Sequence, residues 1–333
     1  MPELPEVEVV KLHLEQKLLH KTITKIEILT PKSFVGDPKL VEGQKIVKFS
    51  RLGKQLSIYL SNHLILLVHL KMTGQLIYDG FMLGHPTPAI NPKTTRLIFH
   101  FSNTSLREGT PTKQSLLYFN DQRKFGWIRV FSPKELKLYQ SDLGLDLFDP
   151  DFSPKYLYSQ LQKSRRPIKI ILLDQHYFAG IGNIYACDAL FLAGIHPGTP
   201  SNKISRSKAL KLHQSLLSIM RQSVLAGGST ARDNKYLRPD GTKGQNQFFF
   251  RVYQRKGEPC LNCGTKIKYL KIGSRGTFFC PHCQRSRILF LCLSLGFRFY
   301  IFFNYFTNPI GIYQLKAFLQ TGQVIGGCFP KWI

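Results

Sequence analysis

Acidic residues are what this chain has least of. Its 333 residues include 20 Asp and Glu against 46 Lys and Arg, a formal net charge of +26. The last 49 residues contain no acid at all. Such an excess argues against a cationic partner and favours a polyanion, either nucleic acid or an anionic membrane. A charged-then-apolar leader is also missing at the N-terminus, so no secretion signal is expected. A disulfide framework is equally unsupported. Of seven cysteines, four form two C-x-x-C pairs, a metal-binding pattern typical of a reducing compartment. At this length the chain has room for two domains with real cores.

What is present begins at the first residues, Met1-Pro2-Glu3-Leu4-Pro5-Glu6-Val7-Glu8. Loss of Met1 leaves Pro2 with a secondary α-amine. That group titrates far below a lysine and is nucleophilic near neutrality. Glu3 beside it is a candidate acid or base. Three clustered carboxylates, Glu3, Glu6 and Glu8, tend to push at least one pKa upward. The ordinary alternative is a plain helix start, with proline in the first turn and acids at the positive end of the dipole. Apolar residues at 7, 10, 14 and 18 do predict a helix over residues 7–20.

From about residue 22 to 130 the pattern changes to short β-rich runs: Ile23–Leu29, Gln44–Phe49, Gln55–Leu60, Leu64–Leu70, Gly74–Tyr78, Leu97–Phe101, Ser115–Phe119 and Gly126–Phe131. Runs of this length, broken by Gly, Pro, Asn and Asp, predict a β-sandwich. Residues 86–92 and 106–113 read as loops. Residues 132–155 read as a linker, with acids and prolines over 146–154. Helical patterns follow, over 156–163, across 172–195 and over 208–225. Within the second, Gly180-Ile181-Gly182-Asn183 predicts a tight turn opening a helix whose free N–H groups can hold a phosphate. Residues 231–250 are too polar and too often broken for an element, which suits a functional loop.

Cys260-x2-Cys263-x16-Cys280-x2-Cys283 is the most specific local signal. Four thiolates in two knuckles give closed tetrahedral coordination, so one structural zinc ion is expected. Zinc would hold a small hairpin rigid without a core of its own. That hairpin carries Lys266, Lys268, Lys271 and Arg275.

Taken together, PELPEVE, RLGKQL, DQRKFG, GIGNIYA followed by ALFLAGIHP, and the zinc knuckles resemble the formamidopyrimidine-DNA glycosylases. These are bacterial repair enzymes for oxidised purines that use an N-terminal proline as nucleophile. The resemblance spans about residues 2–284. It implies an α+β fold: an N-terminal helix plus β-sandwich (2–131), a linker (132–155), a helix–two-turn–helix domain with a lesion-capping loop (156–250) and a zinc finger (251–284). It implies excision of 8-oxoguanine and formamidopyrimidines from double-stranded DNA, then strand cleavage by β,δ-elimination, by a bacterial cytoplasmic, nucleoid-associated monomer. Pro2, Glu3, Lys54 and Arg275 would be catalytic. Lys54 would hold phosphate and assist elimination, and Arg275 would bind phosphates and assist the last elimination. Met72 would fill the hole left by the extruded base, with Arg123 and Phe125 facing the orphaned cytosine. On its own a Met is usually core filler. But a base is reached only by flipping, at about a few kcal/mol. An apolar wedge and a base-pairing arginine offset that. His69, Arg165, Lys169 and Asn183 would contact DNA.

Four points depart from the resemblance or leave it open. The related endonuclease VIII branch, specific for oxidised pyrimidines, usually has glycine where this chain has Leu4. A non-catalytic damaged-DNA-binding zinc protein is a further alternative, opposed by the intact Pro2-Glu3-Lys54-Arg275 set. The family's DNA-contacting histidine before the Leu97 strand is absent, with Lys93 and Arg96 as its candidate replacements. Residues 285–333 form an atypical tail. Residues 288–306 are mostly Leu, Ile and Phe, near the length of a bilayer span, but Arg298 in the middle opposes insertion. An abrupt compositional change favours a non-native extension, such as a frameshift or read-through, ahead of an extra packed helix or a membrane anchor. Cys292 and Cys328 have no ligand spacing.

Overall fold

The computed structural model describes residues 1–79, 93–102, 115–230 and 235–285. The predicted loops at 86–92 and 106–113, part of the capping loop and the hydrophobic tail lie outside these residues. Met1–Ser286 forms one unit.

The chain opens with α1 (Leu4–Leu18), Pro5 in its first turn and Glu3 as its N-cap. Among the described residues nine strands follow: β1 (Ile23–Ile28), β2 (Phe34–Val35), β3 (Ile46–Leu52), β4 (Gln55–Leu60), β5 (Ile65–His69), β6 (Gly74–Tyr78), β7 (Thr95–Phe101), β8 (Ser115–Asp121) and β9 (Trp127–Phe131). They form a four-stranded sheet, β1-β7-β8-β6, and a five-stranded sheet, β2-β9-β5-β4-β3. Val7, Val10, Leu14 and Leu18 of α1 join inward residues of both sheets, such as Phe99, Phe119, Leu56 and Val68, in one core. The expected β-sandwich is therefore present, with α1 sharing its core.

β5 reads as an unbroken apolar run because both its faces are covered. Leu66 and Val68 face the sandwich core. Ile65 and Leu67 pack with Trp127 and Leu136 on the other side. Leu136 belongs to α2 (Pro133–Gln140), a helix inside the stretch read as a linker. Ser132 caps α2, and Glu135 answers it by accepting from the Ser132 N–H at 2.8 Å. This reciprocal box is a local helix signal that does not need an apolar stripe.

The second core is helical. α3 (Pro154–Gln162), α4 (Ile168–Leu173), α5 (Asn183–Leu192) and α6 (Arg206–Leu225) bury Leu157, Ile168, Leu172, Tyr185, Leu190 and Leu216 together. A two-stranded parallel ladder, β10 (Leu145–Asp146) with β11 (Phe178–Ala179), joins the chain entering this core to the segment before α5. A hairpin of β12 (Lys268–Ile272) and β13 (Arg275–Phe279) completes the described chain.

The first turn of α1 links the two cores. Leu4 is fully buried in the helical core, while Val7, one turn later, is buried in the sandwich core. Each burial contributes roughly 1.5–3 kcal/mol. The start of α1 is thereby pinned from both sides, and Pro2 and Glu3 are held where the two halves meet.

Candidate active site at the start of the first helix

Glu3 is the centre of the arrangement. Its side chain is buried against the turn that precedes α5. One carboxylate oxygen accepts the Ile184 N–H at 3.2 Å. Gly180 accepts the Leu4 N–H at 3.2 Å. The two glycines of this turn have separate reasons. Gly180 has φ +100°, a conformation that L side chains rarely adopt, with Leu4 packed against it. Gly182 lies so close that a Cβ there would sit 2.0 Å from the Glu3 carboxyl carbon. The turn thus cradles a carboxylate of the chain itself, a use the sequence did not disclose.

The other Glu3 oxygen, Oε2, is buried with no partner among the described residues. Burial drives the Glu3 pKa up to about 7, and the neighbouring Glu6 carboxylate adds to this against the opposing charge of Lys54. Near neutrality Glu3 can therefore carry a proton on an oxygen not committed elsewhere. The expected upward shift in the acidic cluster falls on Glu3. Glu8 moves down, because its hydrogen bonds to Lys11 and Arg51 outweigh its burial.

Glu6 is a connector. It accepts from the Glu3 N–H at 2.8 Å through Oε2. Through Oε1 it accepts from the Tyr185 hydroxyl at 2.5 Å and the Ser229 N–H at 2.8 Å. Ser229 in turn accepts from Asn246 Nδ2 at 2.9 Å. Segments on both sides of residues 231–234 are tied to the start of α1 by this network.

Lys54 lies in the turn between β3 and β4, close enough to Glu3 and Arg275 for their charges to act on it. Burial depresses its pKa, Arg275 depresses it further, and Glu3 and Glu6 oppose both. The turn is fixed by groups far apart in sequence. Arg51 donates to Glu8 at 2.6 Å and makes a two-pronged pair with Asp146. Asp146 also accepts the Gly53 N–H at 2.7 Å. Sequence reasoning took Lys54 from RLGKQL and missed Arg51 and Asp146. No local pattern connects residues that far apart.

Arg275 opens β13 and is exposed. Asn183, at the start of α5, donates to the Gly276 carbonyl at 3.1 Å. Lys169 departs from expectation. A phosphate contact requires an ammonium at the surface, yet Lys169 is fully buried and donates to Gly276, Thr277 and Cys187. Arg165 is exposed, as an external contact requires.

A second cluster lies at the turns after β5 and β8. Met72 and Phe125 are 36% and 54% exposed, and Arg123 stacks over Phe125 at 4.9 Å. Asp121 ties the two turns together. It accepts from the Thr73 hydroxyl, from the Arg123 N–H at 3.1 Å and from the Gly126 N–H at 2.6 Å. It too was missed. His69 ends β5, with Nδ1 accepting the Lys71 N–H at 3.1 Å. Burial and the charges of Lys71 and Lys54 lower its pKa to about 3, so its ring is neutral. Of the proposed histidine replacements, Arg96 is buried and donates to the carbonyls of Asp121 and Lys93, while Lys93 is exposed.

The four knuckle cysteines converge. Their sulfurs lie within 4.8 Å of one another, with close pairs at 3.5 and 3.8 Å. Zn–S bonds of about 2.3 Å in a tetrahedron require edges near 3.8 Å. The N–H groups of Asn262 and Cys283 point at Cys260 and Cys280 sulfur, each at 3.4 Å. This donor set fits one structural zinc ion. Gln284 closes the unit, donating to Ile195 O at 2.8 Å and accepting from the Cys280 N–H at 2.9 Å. Among the described residues no helix is long and apolar enough to cross a membrane.

A buried, protonatable carboxyl one residue from Pro2, with a sandwich, a helical core and a four-cysteine hairpin around it, is the arrangement of a zinc-finger DNA repair glycosylase. Residues 1–128 match the model of the formamidopyrimidine-DNA glycosylase N-terminal domain, and residues 143–235 its H2TH domain. Residues 257–285 match the zinc finger found in FPG and IleRS. The formamidopyrimidine-DNA glycosylase of Streptococcus pneumoniae serotype 4 is 37% identical over 291 residues, covering 86% of this chain and 99% of that protein. That of Bacillus cereus is 36% identical over 293 residues, covering 85% and 99%. Among solved structures, the Lactococcus lactis Fpg complex with DNA containing an abasic site superposes with a TM-score of 0.74. It is 32% identical, over 86% of this chain and 100% of that one. Thermus thermophilus MutM (Fpg) gives 0.72 at 34% identity, over 85% and 98%. The chain belongs to the formamidopyrimidine-DNA glycosylase family.

Proposed function

We propose that this chain excises oxidised purines, 8-oxoguanine and formamidopyrimidines, from double-stranded DNA and then cleaves the strand at the resulting abasic site. The observation that carries this reading is Glu3: a buried carboxyl with its pKa at about 7 and one unpartnered oxygen, one residue from Pro2. A family member solved with Fapy-dG-containing DNA superposes with a TM-score of 0.75 at 33% identity, which supports the substrate class.

The steps follow from the groups present. With Met1 removed, the Pro2 nitrogen attacks C1′ of the flipped nucleotide. The C1′–N bond to the base breaks, and the base leaves with the electron pair and takes up the proton that the Pro2 nitrogen sheds. Glu3 gives its proton to the ring oxygen O4′, the C1′–O4′ bond opens, and an imine joins Pro2 to C1′. The imine acidifies the C2′ protons. Loss of one expels the 3′ phosphate, and a second elimination expels the 5′ phosphate. Lys54 and Arg275 hold the phosphates and stabilise the charge that develops on them. Met72, Arg123 and Phe125 occupy the gap in the duplex. Arg165 and the remaining Asn183 amide donor bind backbone phosphate. Cys260, Cys263, Cys280 and Cys283 would hold the zinc ion, which would keep the hairpin rigid. The protein acts as a monomer in the bacterial cytoplasm, at the nucleoid.

The test is a single-turnover assay on duplexes carrying one defined lesion. Faster release of 8-oxoguanine and formamidopyrimidine than of oxidised pyrimidines supports the reading, and the reverse order overturns the substrate class. Glu3→Gln should slow base release on all of them by roughly 10²–10⁴-fold.

A further inference from the structure

Lys169 is a lysine with no exposed surface and, among the described residues, no carboxylate hydrogen-bonded to it. Burying an ammonium costs several kcal/mol unless its donors are matched. An ammonium has three donors, and all three are engaged. Lys169 Nζ donates to the Gly276 carbonyl at 2.8 Å, to Thr277 Oγ1 at 2.8 Å and to Cys187 Sγ at 3.2 Å. No donor remains for a phosphate oxygen.

The acceptors show what the lysine does. Two of the three belong to β13, in the two residues after Arg275. The Thr277 hydroxyl passes the contact on, donating to the Arg275 carbonyl at 3.1 Å. The Gly276 carbonyl receives a second bond from Asn183 Nδ2, at 3.1 Å. α4 and the start of α5 therefore grip the backbone that carries Arg275, while its side chain stays exposed. The hairpin is otherwise held by the zinc knuckles at its far end and by apolar packing of Phe278 on Tyr253 and Phe279 on His196, both beyond the Arg275 end of β13. Arg275 is within electrostatic reach of both Lys54 and Lys169. Three cations so close repel, so the exposed end of the hairpin needs an anchor to stay near Lys54.

We propose that Lys169 is a positioning residue, not a phosphate ligand: it clamps β13 through Gly276 and Thr277 and so holds Arg275 at the abasic sugar for the second elimination. This rests on the role given to Arg275 above. The first elimination needs only the imine and is less dependent on the clamp.

The experiment uses the full-length, zinc-loaded protein on a duplex with a preformed abasic site. It measures the ratio of the two cleavage ends: the unsaturated aldehyde left by the first elimination and the 3′ phosphate left by the second. Lys169→Met should shift this ratio at least tenfold toward the aldehyde while borohydride trapping stays near wild type. Lys169→Arg should restore part of it. The double variant Lys169→Met/Arg275→Ala should match Arg275→Ala alone, because both act on one group. The slope of log affinity against log salt should be unchanged, whereas loss of a phosphate contact lowers it by about one. An unchanged ratio in Lys169→Met, beside a shifted one in Arg275→Ala, overturns the proposal. An unchanged ratio in Arg275→Ala overturns the reading of Arg275 itself. Should Lys169→Met lose zinc or fail to fold, Thr277→Val breaks the same relay with a side chain of nearly the same shape, and the same ratio decides.

Discussion

At the start of α1, Glu3 and Glu6 are each within 2% of complete burial. At the turns after β5 and β8, Met72 and Phe125 are partly exposed, at 36% and 54%. Both regions reverse the ordinary placement of their residue types, in opposite senses. Around Glu3 the protein withholds a hydrogen-bond partner, and the stored penalty appears as a pKa near 7. Around Met72 and Phe125 it withholds apolar cover, and the penalty appears as exposed surface that a DNA base stack would bury. In both places the backbone is over-determined to hold the costly side chain: the Gly180–Ile184 turn and Glu6 at one, Asp121 at the other. The difference is what each waits for. The first is poised for a proton transfer, the second for an insertion.

The sharpest break between them is Glu3→Gln. It removes the proton donor while leaving the wedge intact, and base release should fall by roughly 10²–10⁴-fold. Binding of lesion duplex should change little. The wild-type rate of base release should decline with pH above about 7, as Glu3 loses its proton. The stability effect has the same sign. A carboxyl raised from its usual 4.5 to about 7 holds a proton in the folded chain that the unfolded chain has already lost. Stability therefore falls as pH rises through that interval, and denaturant midpoints in Glu3→Gln should show a flatter profile. A pH-independent wild-type rate would place the proton donor elsewhere.

Zinc removal should come next in size. Cys263→Ser, or chelation, releases the hairpin that carries Arg275 and should abolish strand cleavage and duplex binding. The sandwich, whose core contains none of these cysteines, should keep its own thermal transition. Activity without zinc would exclude a structural role for the knuckles.

Alanine at Met72, Arg123 or Phe125 should act more selectively. Processing of a lesion in a paired duplex should drop about tenfold or more, while cleavage of an abasic site in single strand should hardly change, because nothing there must be flipped. Equal losses on both substrates would make these residues structural only. The smallest effect belongs to the tail. Truncation after Gln284 should leave base release and strand cleavage intact, since every candidate catalytic residue precedes it. Gln284 itself must stay, because its amide bridges Ile195 and Cys280. Loss of activity on truncation would mean the tail is an integrated element.

Much of this was legible because it is periodic or local. The apolar spacing of α1, the short β runs and the C-x-x-C pairs each declare themselves within one stretch of chain. β3 began two residues later and β7 two residues earlier than the pattern implied, as element ends commonly do. α2 buries one apolar residue, Leu136, and its signal in the sequence is the Ser132–Glu135 capping box. The remaining gaps have a different cause. Arg51 with Asp146, Asp121 with Thr73, and Lys169 with Thr277 are pairs separated by 48 to 108 positions. Their meaning exists only once the fold has formed. A lysine in a basic cluster resembles a phosphate ligand until its burial is known.

The central claim is that Pro2, freed of Met1, is the nucleophile that Glu3 serves. Borohydride trapping on lesion-containing duplex tests it directly, with the mature protein beside a preparation retaining Met1. The account predicts a covalent protein–DNA adduct through the Pro2 nitrogen in the mature protein and none in the other. Equal trapping by both, or an adduct mapped to Lys54, would contradict it.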